Sequence, residues 1–162
     1  MSHAQSLPAI GAAFEDGTYA GILTDKSGAL YALILLDGHQ DDIKWKPALA
    51  WAAERQGDLP TRPEAALLFA HLQDKLPKLW CWTNEECSWD ASYAWHCGFS
   101  YGYQDYYRKS AEGAAVAVRR LPLESFDPLE SARSRTAEDV ARLRKAAELL
   151  VAACESSEAL LA

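Results

Sequence analysis

The forty residues from Trp80 to Arg119, WCWTNEECSWDASYAWHCGFSYGYQDYYRKSAEGAAVAVR, hold four of the chain's six tryptophans and five of its seven tyrosines. Each such ring buries about 150–250 Å² and carries a polar tip that needs water or a partner. A segment this dense in rings, spaced by Gly, Ser and Asp, is read as short strands whose alternate residues point inward and outward. The inward rings would form core. The outward ones would form a contact surface, because Tyr and Trp give large contact area at low entropy cost. Both readings are expected to hold.

At 162 residues the chain has room for one domain and an appendage, and such a domain buries roughly two thirds of its unfolded surface without staples. The net charge is -7. Basic residues form no run longer than a pair such as Arg119-Arg120, which argues against nucleic acid and against an anionic membrane surface as partners. No apolar run approaches the ~18–20 residues of a spanning helix, so no membrane insertion is expected. The start, MSHAQSLPAIGAAFEDG, lacks the basic head and apolar run of a signal peptide. Synthesis in the cytoplasm is therefore expected, with any export by another route. Cys81, Cys87, Cys97 and Cys154 form no C-x-x-C pair. The first three lie close enough in sequence for one disulfide, but without secretion free buried thiols are the expectation.

Residues 1–16 read as an arm. Thr18–Leu23 and Ala29–Leu36 read as a hairpin around Asp25-Lys26-Ser27-Gly28, with the doubly apolar run Ala32–Leu36 as a covered strand. A helix is predicted from Trp45 to Gln56, with Gly57 as its C-terminal cap. Thr61 and Glu64 have the spacing of a capping box and Pro63 suits a first turn, so a second helix should run to about Lys75. Strands follow at Leu79–Thr83, Ala94–Ser100, Tyr103–Arg108 and Ala115–Arg119. Asn84–Ser92 reads as a polar loop and Tyr101-Gly102 as a tight turn. Residues 17–121 make the domain and 122–135 a linker. Residues 136–162 make a last helix, capped by Thr136. Its stripe of Val140, Leu143, Ala147, Leu150, Cys154, Ser157 and Leu161 follows an a/d heptad pattern. That stripe suits either docking on the chain's own domain or self-association into a homo-oligomer.

The order of the pieces carries a resemblance. Tyr19-Ala20-Gly21-Ile22 and Tyr31-Ala32-Leu33-Ile34-Leu35 precede Trp45…Ala48-Leu49-Ala50-Trp51-Ala52 and Leu59-Pro60-Thr61-Arg62-Pro63-Glu64. Then come Trp80-Cys81-Trp82-Thr83, Ala94-Trp95, Phe99-Ser100-Tyr101-Gly102, Lys109 and Val116-Ala117-Val118-Arg119. Over roughly residues 17–120 this ordered set resembles the domain family typified by the C-terminal domain of the Legionella collagen-like adhesin. That family is common in bacteria and tailed phages and is similar to C-type-lectin-like folds. The resemblance implies an α+β, C-type-lectin-like fold with two helices flanking a twisted antiparallel sheet, and a ligand face in the C-terminal half. It also implies a phage or phage-like particle as location and a cell-surface glycan or protein as partner, with other virion proteins as further partners. The segment from Pro122 onward lies outside the pattern.

Within that frame Trp80, Trp82, Trp95 and Phe99 are assigned to the core. The contact residues are expected to be Tyr93, His96, Tyr101, Tyr103, Asp105, Tyr106 and Tyr107, clustered about a turn where burying every ring is difficult. Arg62 is expected to pair with a carboxylate, and His71 to be a hydrogen-bonded boundary residue. The acidic loops at 37–42 and 85–90 lack the register of an EF-hand, and neither the Glu-Pro-Asn nor the Gln-Pro-Asp motif of calcium-dependent lectins is present. No metal or cofactor is expected. His96 and Cys97, as neighbours on a strand, point to opposite faces and cannot act as a pair. No nucleophile elbow or phosphate loop is present, so the chain is read as a non-enzyme. A formylglycine-generating type of oxidase, which has a related fold and uses cysteines, is the enzymatic alternative.

Overall fold

The run Ala32–Leu36 separates two cores. The structure, a computed structural model, describes residues 6–123 and 128–160, the latter with side chains from 137 to 154. Within it β1 (Ala13–Phe14), β2 (Gly17–Thr24) and β3 (Leu30–Leu36) are joined by antiparallel pairing. The expected β2–β3 hairpin is present, and Asp25 closes it. Its carboxylate accepts from the Ser27 N–H at 2.8 Å, the Ser27 hydroxyl at 2.6 Å and the Ala29 N–H at 3.0 Å. Gly28 takes the left-handed conformation that the turn needs, at φ +89°. On its other edge β3 pairs with β9 (Val118–Pro122), giving the sheet order β1-β2-β3-β9.

Side chains alternate across a strand, so β3 feeds both sides of its sheet. Leu33 and Leu35 pack with Ala65 and Leu68 of α2 (Arg62–His71). Ile34 and Leu36 pack with Trp45, Ala48 and Ala52 of α1 (Trp45–Glu54). The covered strand read from the sequence is thus covered by one helix on each face.

A second sheet holds β4 (Gln40–Ile43), β5 (Trp80–Cys87), β6 (Asp90–Gly98), β7 (Tyr103–Arg108) and β8 (Gly113–Ala115) in the order β4-β8-β5-β6-β7. β5 and β8 run parallel where Cys81 meets Ala114. The α+β class and the C-terminal helix are as expected, whereas the single antiparallel sheet is corrected to two sheets with one parallel pair. The strand read at Ala115–Arg119 is where they part. β8 ends at Ala115, and Val116 and Ala117 carry the chain across before β9 begins at Val118. All of Ala114–Val118 is buried, so the apolar run shows no break at the crossing.

Other boundaries also shift. Ala13 and Phe14 of the expected arm form an edge strand on Thr18 and Gly17. Asn84–Ser92 is not a loop: β5 and β6 continue through it to a turn at Ser88-Trp89, with Cys87 opposite Asp90. Its polar side chains are tolerated in strands because they have distant partners. Asn84 donates to Asp58 at 2.9 Å, and Glu86 pairs with Lys109 at 2.7 Å. α2 stops at His71, and a short 3-10 turn at Gln73–Lys75 covers the rest of the expected helix.

The last helix, α3, spans Pro128–Leu160. It therefore starts in the expected linker, and Thr136 lies within it rather than capping it. Proline suits a first helical turn because its missing N–H has no intrahelical partner there anyway. Val140, Leu143, Ala147, Leu150 and Cys154 of the stripe are all exposed. Residues 1–5 of the arm, 124–127 of the linker, Leu161 and the Ser157 side chain lie outside the described residues. The compact unit ending at Leu123 and the unit containing α3 are distinct. Among the described residues no helix is long and apolar enough to cross a membrane.

Candidate functional site

Register sorts the aromatic segment onto two faces. In β6 and β7, Tyr93 lies opposite Arg108, Trp95 opposite Tyr106 and Cys97 opposite Gln104. Directly opposed residues share a face, so these make the face that continues into the α2-side core. Ala94 with Tyr107, His96 with Asp105 and Gly98 with Tyr103 make the other, joined from β5 by Trp80 and Trp82. β7 is an edge strand, which leaves the far end of each face open.

On the first face four rings interlock edge to face. Tyr106 is the hub, with ring centres 5.1 Å from Trp89, 5.5 Å from Trp95 and 5.9 Å from Tyr93, and Trp89 meets Trp95 at 5.7 Å. Each such contact contributes about 0.5–1.5 kcal/mol beyond area burial, so the cluster is held in shape without being covered. Trp89 remains 59% exposed and Tyr106 41% exposed. The Ser88-Trp89 turn presents the outer indole, steadied by Asp90, whose carboxylate accepts from the Ser92 N–H at 2.9 Å and hydroxyl at 2.6 Å.

Two arginines border this cluster. Arg108 Nε donates to the Tyr93 hydroxyl at 3.2 Å. The Arg62 guanidinium lies 3.6 Å from the centre of the Trp95 ring, a cation–π contact. The expected carboxylate pairing of that guanidinium is corrected, because it finds an indole and an amide instead. Its Nε donates to Gln104 Oε1 at 3.1 Å, Gln104 returns a bond to the Arg62 carbonyl at 2.7 Å, and Glu85 takes the Arg62 backbone N–H.

What aims Arg62 is the capping box. The Glu64 N–H donates to Thr61 Oγ1 at 3.3 Å and the Thr61 N–H to Glu64 Oε2 at 2.7 Å, as the spacing required. Glu64 is fully buried and is also bound by Arg120 and by the Tyr31 hydroxyl at 2.8 Å. The helix start beneath the aromatic face is thus tied to β3 and β9 of the other sheet.

The second face is tighter. Trp82 is buried, and its Nε1 donates to the Ile43 carbonyl at 2.9 Å, while Trp45 Nε1 donates to the Thr83 carbonyl at 2.8 Å. His96 is only 6% exposed. Its ring centre is 4.7 Å from Trp80, 6.4 Å from Trp82 and 6.2 Å from Tyr103. Burial pushes its pKa down, with Asp105 opposing, and its Nδ1 is buried without a hydrogen-bond partner among the described residues. His96 is therefore corrected from a surface contact to a neutral ring packed among aromatics. Tyr103 and Tyr107 are half exposed, with Tyr107 5.9 Å from Trp80.

The expected contact residues do not form one site. Tyr93 and Tyr106 lie on the first face, and His96, Tyr103, Asp105 and Tyr107 on the second. Tyr101 projects from the turn between β6 and β7, 86% exposed. Of the expected core residues Trp82 and Phe99 are fully buried, but Trp80 and Trp95 are half-buried walls of the two faces. Trp89, Trp95, Arg62 and Arg108 were missed. Period-two spacing of Tyr93 and Trp95 signalled a shared face, and pairing about the Tyr101-Gly102 turn placed Tyr106 beside them. His71 is the expected boundary residue, its Nδ1 2.6 Å from the Ala20 carbonyl oxygen. Among the described residues no three His, Cys, Asp or Glu side chains group to hold a metal ion. The chain matches no model of a known protein family and no curated protein.

Proposed function

We propose that this chain is a ligand-binding and display module of C-type-lectin-like kind, carried on a phage or phage-like particle, that recognises a cell-surface glycan or protein. The observation that carries this reading is the open cluster of Trp89, Tyr93, Trp95 and Tyr106. Its rings are fixed by one another, Trp89 and Tyr106 exposed and Tyr93 and Trp95 half-buried, with arginines and Asp90 at the rim. Rigid aromatic anchors ringed by polar groups suit recognition by stacking and shape, since little side-chain entropy is lost on contact. The particle setting rests on the ordered motif resemblance. The exposed stripe of α3 would bring copies together, so that weak single sites add up.

The thiol-oxidase alternative loses ground because Cys81 and Cys97 are buried, where a catalytic thiolate is costly. A second reading, an accessory protein of virion assembly, draws on the same α3 stripe and on the open edge of β7. The two separate by experiment. Purified full chain is applied to immobilised bacterial surface polysaccharides and to intact bacteria. Binding that drops at least tenfold in Trp89→Ala and Tyr106→Ala, with helix content and Tm retained, supports recognition. Unchanged binding, or particles that fail to assemble with the same substitutions, would move the aromatic cluster to an assembly role.

A further inference from the structure

We propose that Cys81 and Cys97 are a disulfide site, joined across the β5–β6 hairpin when the chain folds in the presence of a small-molecule disulfide. The two residues are direct cross-strand partners, so their side chains emerge on one face, and both lie in the α2-side core. The Phe99 N–H donates to the Leu79 carbonyl at 3.0 Å. Two steps along an antiparallel ladder the pairing type repeats, which makes Cys81 and Cys97 a hydrogen-bonded pair with Cα atoms about 5.5 Å apart. Disulfides take Cα separations of roughly 4.4–6.8 Å. In a hydrogen-bonded pair the Cβ atoms stand at the wide end of the roughly 4.5–5.5 Å cross-strand range, and a disulfide draws them to about 3.5–4.5 Å, so closure asks for a movement on the order of 1–2 Å.

The other two cysteines are placed elsewhere. Cys87 lies opposite Asp90 at the hairpin end, and Cys154 is on α3. A Cys81–Cys97 link would clasp the hairpin that carries Trp89, Tyr93 and Trp95, below the exposed cluster.

Access decides when the bond forms. In the folded protein both thiols are buried. Burial pushes the Cys97 thiol up to about 11, and Cys81 higher still, with Cys97 beside it adding to the rise. The attacking species is the thiolate, so the folded hairpin is nearly inert. In the open hairpin one thiolate attacks oxidised glutathione, forming a mixed disulfide and releasing one glutathione thiolate. The second cysteine then attacks the protein-side sulfur and releases the other. Two protein thiols are oxidised, one glutathione disulfide is reduced to two thiols, and the two protons go to solvent or to the released thiolates.

The test refolds full-length protein from urea in oxidised and reduced glutathione, traps free thiols with an alkylating agent and maps the peptides by mass spectrometry. One cross-link is expected, Cys81 to Cys97, with Cys87 and Cys154 alkylated and Tm raised by about 10 °C over the reduced protein. Never-unfolded protein in the same mixture should link at least tenfold more slowly. Four alkylated cysteines after refolding, or a link through Cys87 or Cys154, would overturn the assignment. Equal rates with and without unfolding would overturn the role of burial.

Discussion

Arg120 grips both carboxylate oxygens of Glu64, its Nε 2.6 Å from Oε1 and its Nη2 2.8 Å from Oε2. Glu64 belongs to the first turn of α2 and Arg120 to β9, so the pair joins a helix cap to a sheet. The rest of the guanidinium is also used, since Nη1 donates to Asp58 at 2.8 Å and Nη2 reaches the Leu59 carbonyl at 3.2 Å. Burial alone would raise the Glu64 carboxyl. Arg120, the Thr61 N–H and the Tyr31 hydroxyl more than offset that, and the group is held below the ordinary carboxylate value. Tyr31 is pushed up to about 12 by burial and by Glu64.

Breaking this pair from the Glu64 side should be costly. Removing Glu64 leaves Arg120 with Asp58 and the Leu59 carbonyl, but it deletes two charge-assisted hydrogen bonds and half of the capping box, together about 3–5 kcal/mol. Glu64→Ala is expected to lose that much in urea unfolding, and the double variant Glu64→Leu with Arg120→Met to recover much of it. A Glu64→Ala protein as stable as the parent would show that the network carries no stability.

Acidification should weaken the fold in two steps. His96 is depressed by burial, so the unfolded chain takes its proton first. Its stabilising contribution is full above its unfolded value near 6.5 and is lost as pH falls from there towards the folded value. Glu64 contributes fully above its unfolded value near 4.3 and is lost as pH falls through its lower folded value. Urea midpoints measured from pH 8 to pH 3 should show both declines. His96→Phe should flatten the upper one and leave the lower. A midpoint that rises between pH 7 and pH 5 would contradict the first step.

The two ends of the indole series should respond in opposite ways. Trp82 is fully buried and hydrogen-bonded to Ile43, so Trp82→Ala should cost about 3–5 kcal/mol. Trp89 is mostly exposed, and Trp89→Ala should cost about 1–2 kcal/mol, the worth of its two ring contacts in the lower part of their range. Under the proposed function the ranking inverts for ligand, with Trp89→Ala losing binding while Tm stays within a few degrees. Thermal melts and binding on the same preparations decide both halves.

Elements whose causes are local were legible in the sequence: the Asp25 turn, the Thr61–Glu64 box and the covered Ala32–Leu36 strand. The β5–β6 hairpin was not. Ser88-Trp89 lacks the Asn-Gly type of signal, and Asn84, Glu85 and Glu86 look like loop residues until their partners Asp58, Arg62 and Lys109 are known. The same miss hid Trp89, the outer indole of the aromatic cluster. The division of the expected contact residues between two faces follows from strand register. A list of exposed-looking tyrosines carries no register. Val116-Ala117 shows the limit most directly, since apolar composition is the same whether a strand continues or changes sheet.

The end of α1 yields a prediction of opposite signs at adjacent residues. The Gln56 N–H donates to the Ala53 carbonyl at 2.9 Å and the Gly57 N–H to the Ala52 carbonyl at 3.0 Å, the paired bonds of a Schellman cap. The left-handed residue is Gln56, at φ +58°, and not Gly57, where the sequence placed the cap. Gln56→Gly should relieve that conformation and stabilise by about 0.5–1 kcal/mol. Gly57 is glycine for a different reason. A Cβ there would lie 2.7 Å from the Val118 carbonyl oxygen and 2.8 Å from Leu36 Cδ1. That oxygen is held in place, accepting the Asp58 N–H at 2.9 Å. Gly57→Ala should therefore destabilise by about 1–3 kcal/mol. Urea midpoints of the two variants should move in opposite directions from the parent. A shared direction would show that close approach to β9 does not govern position 57.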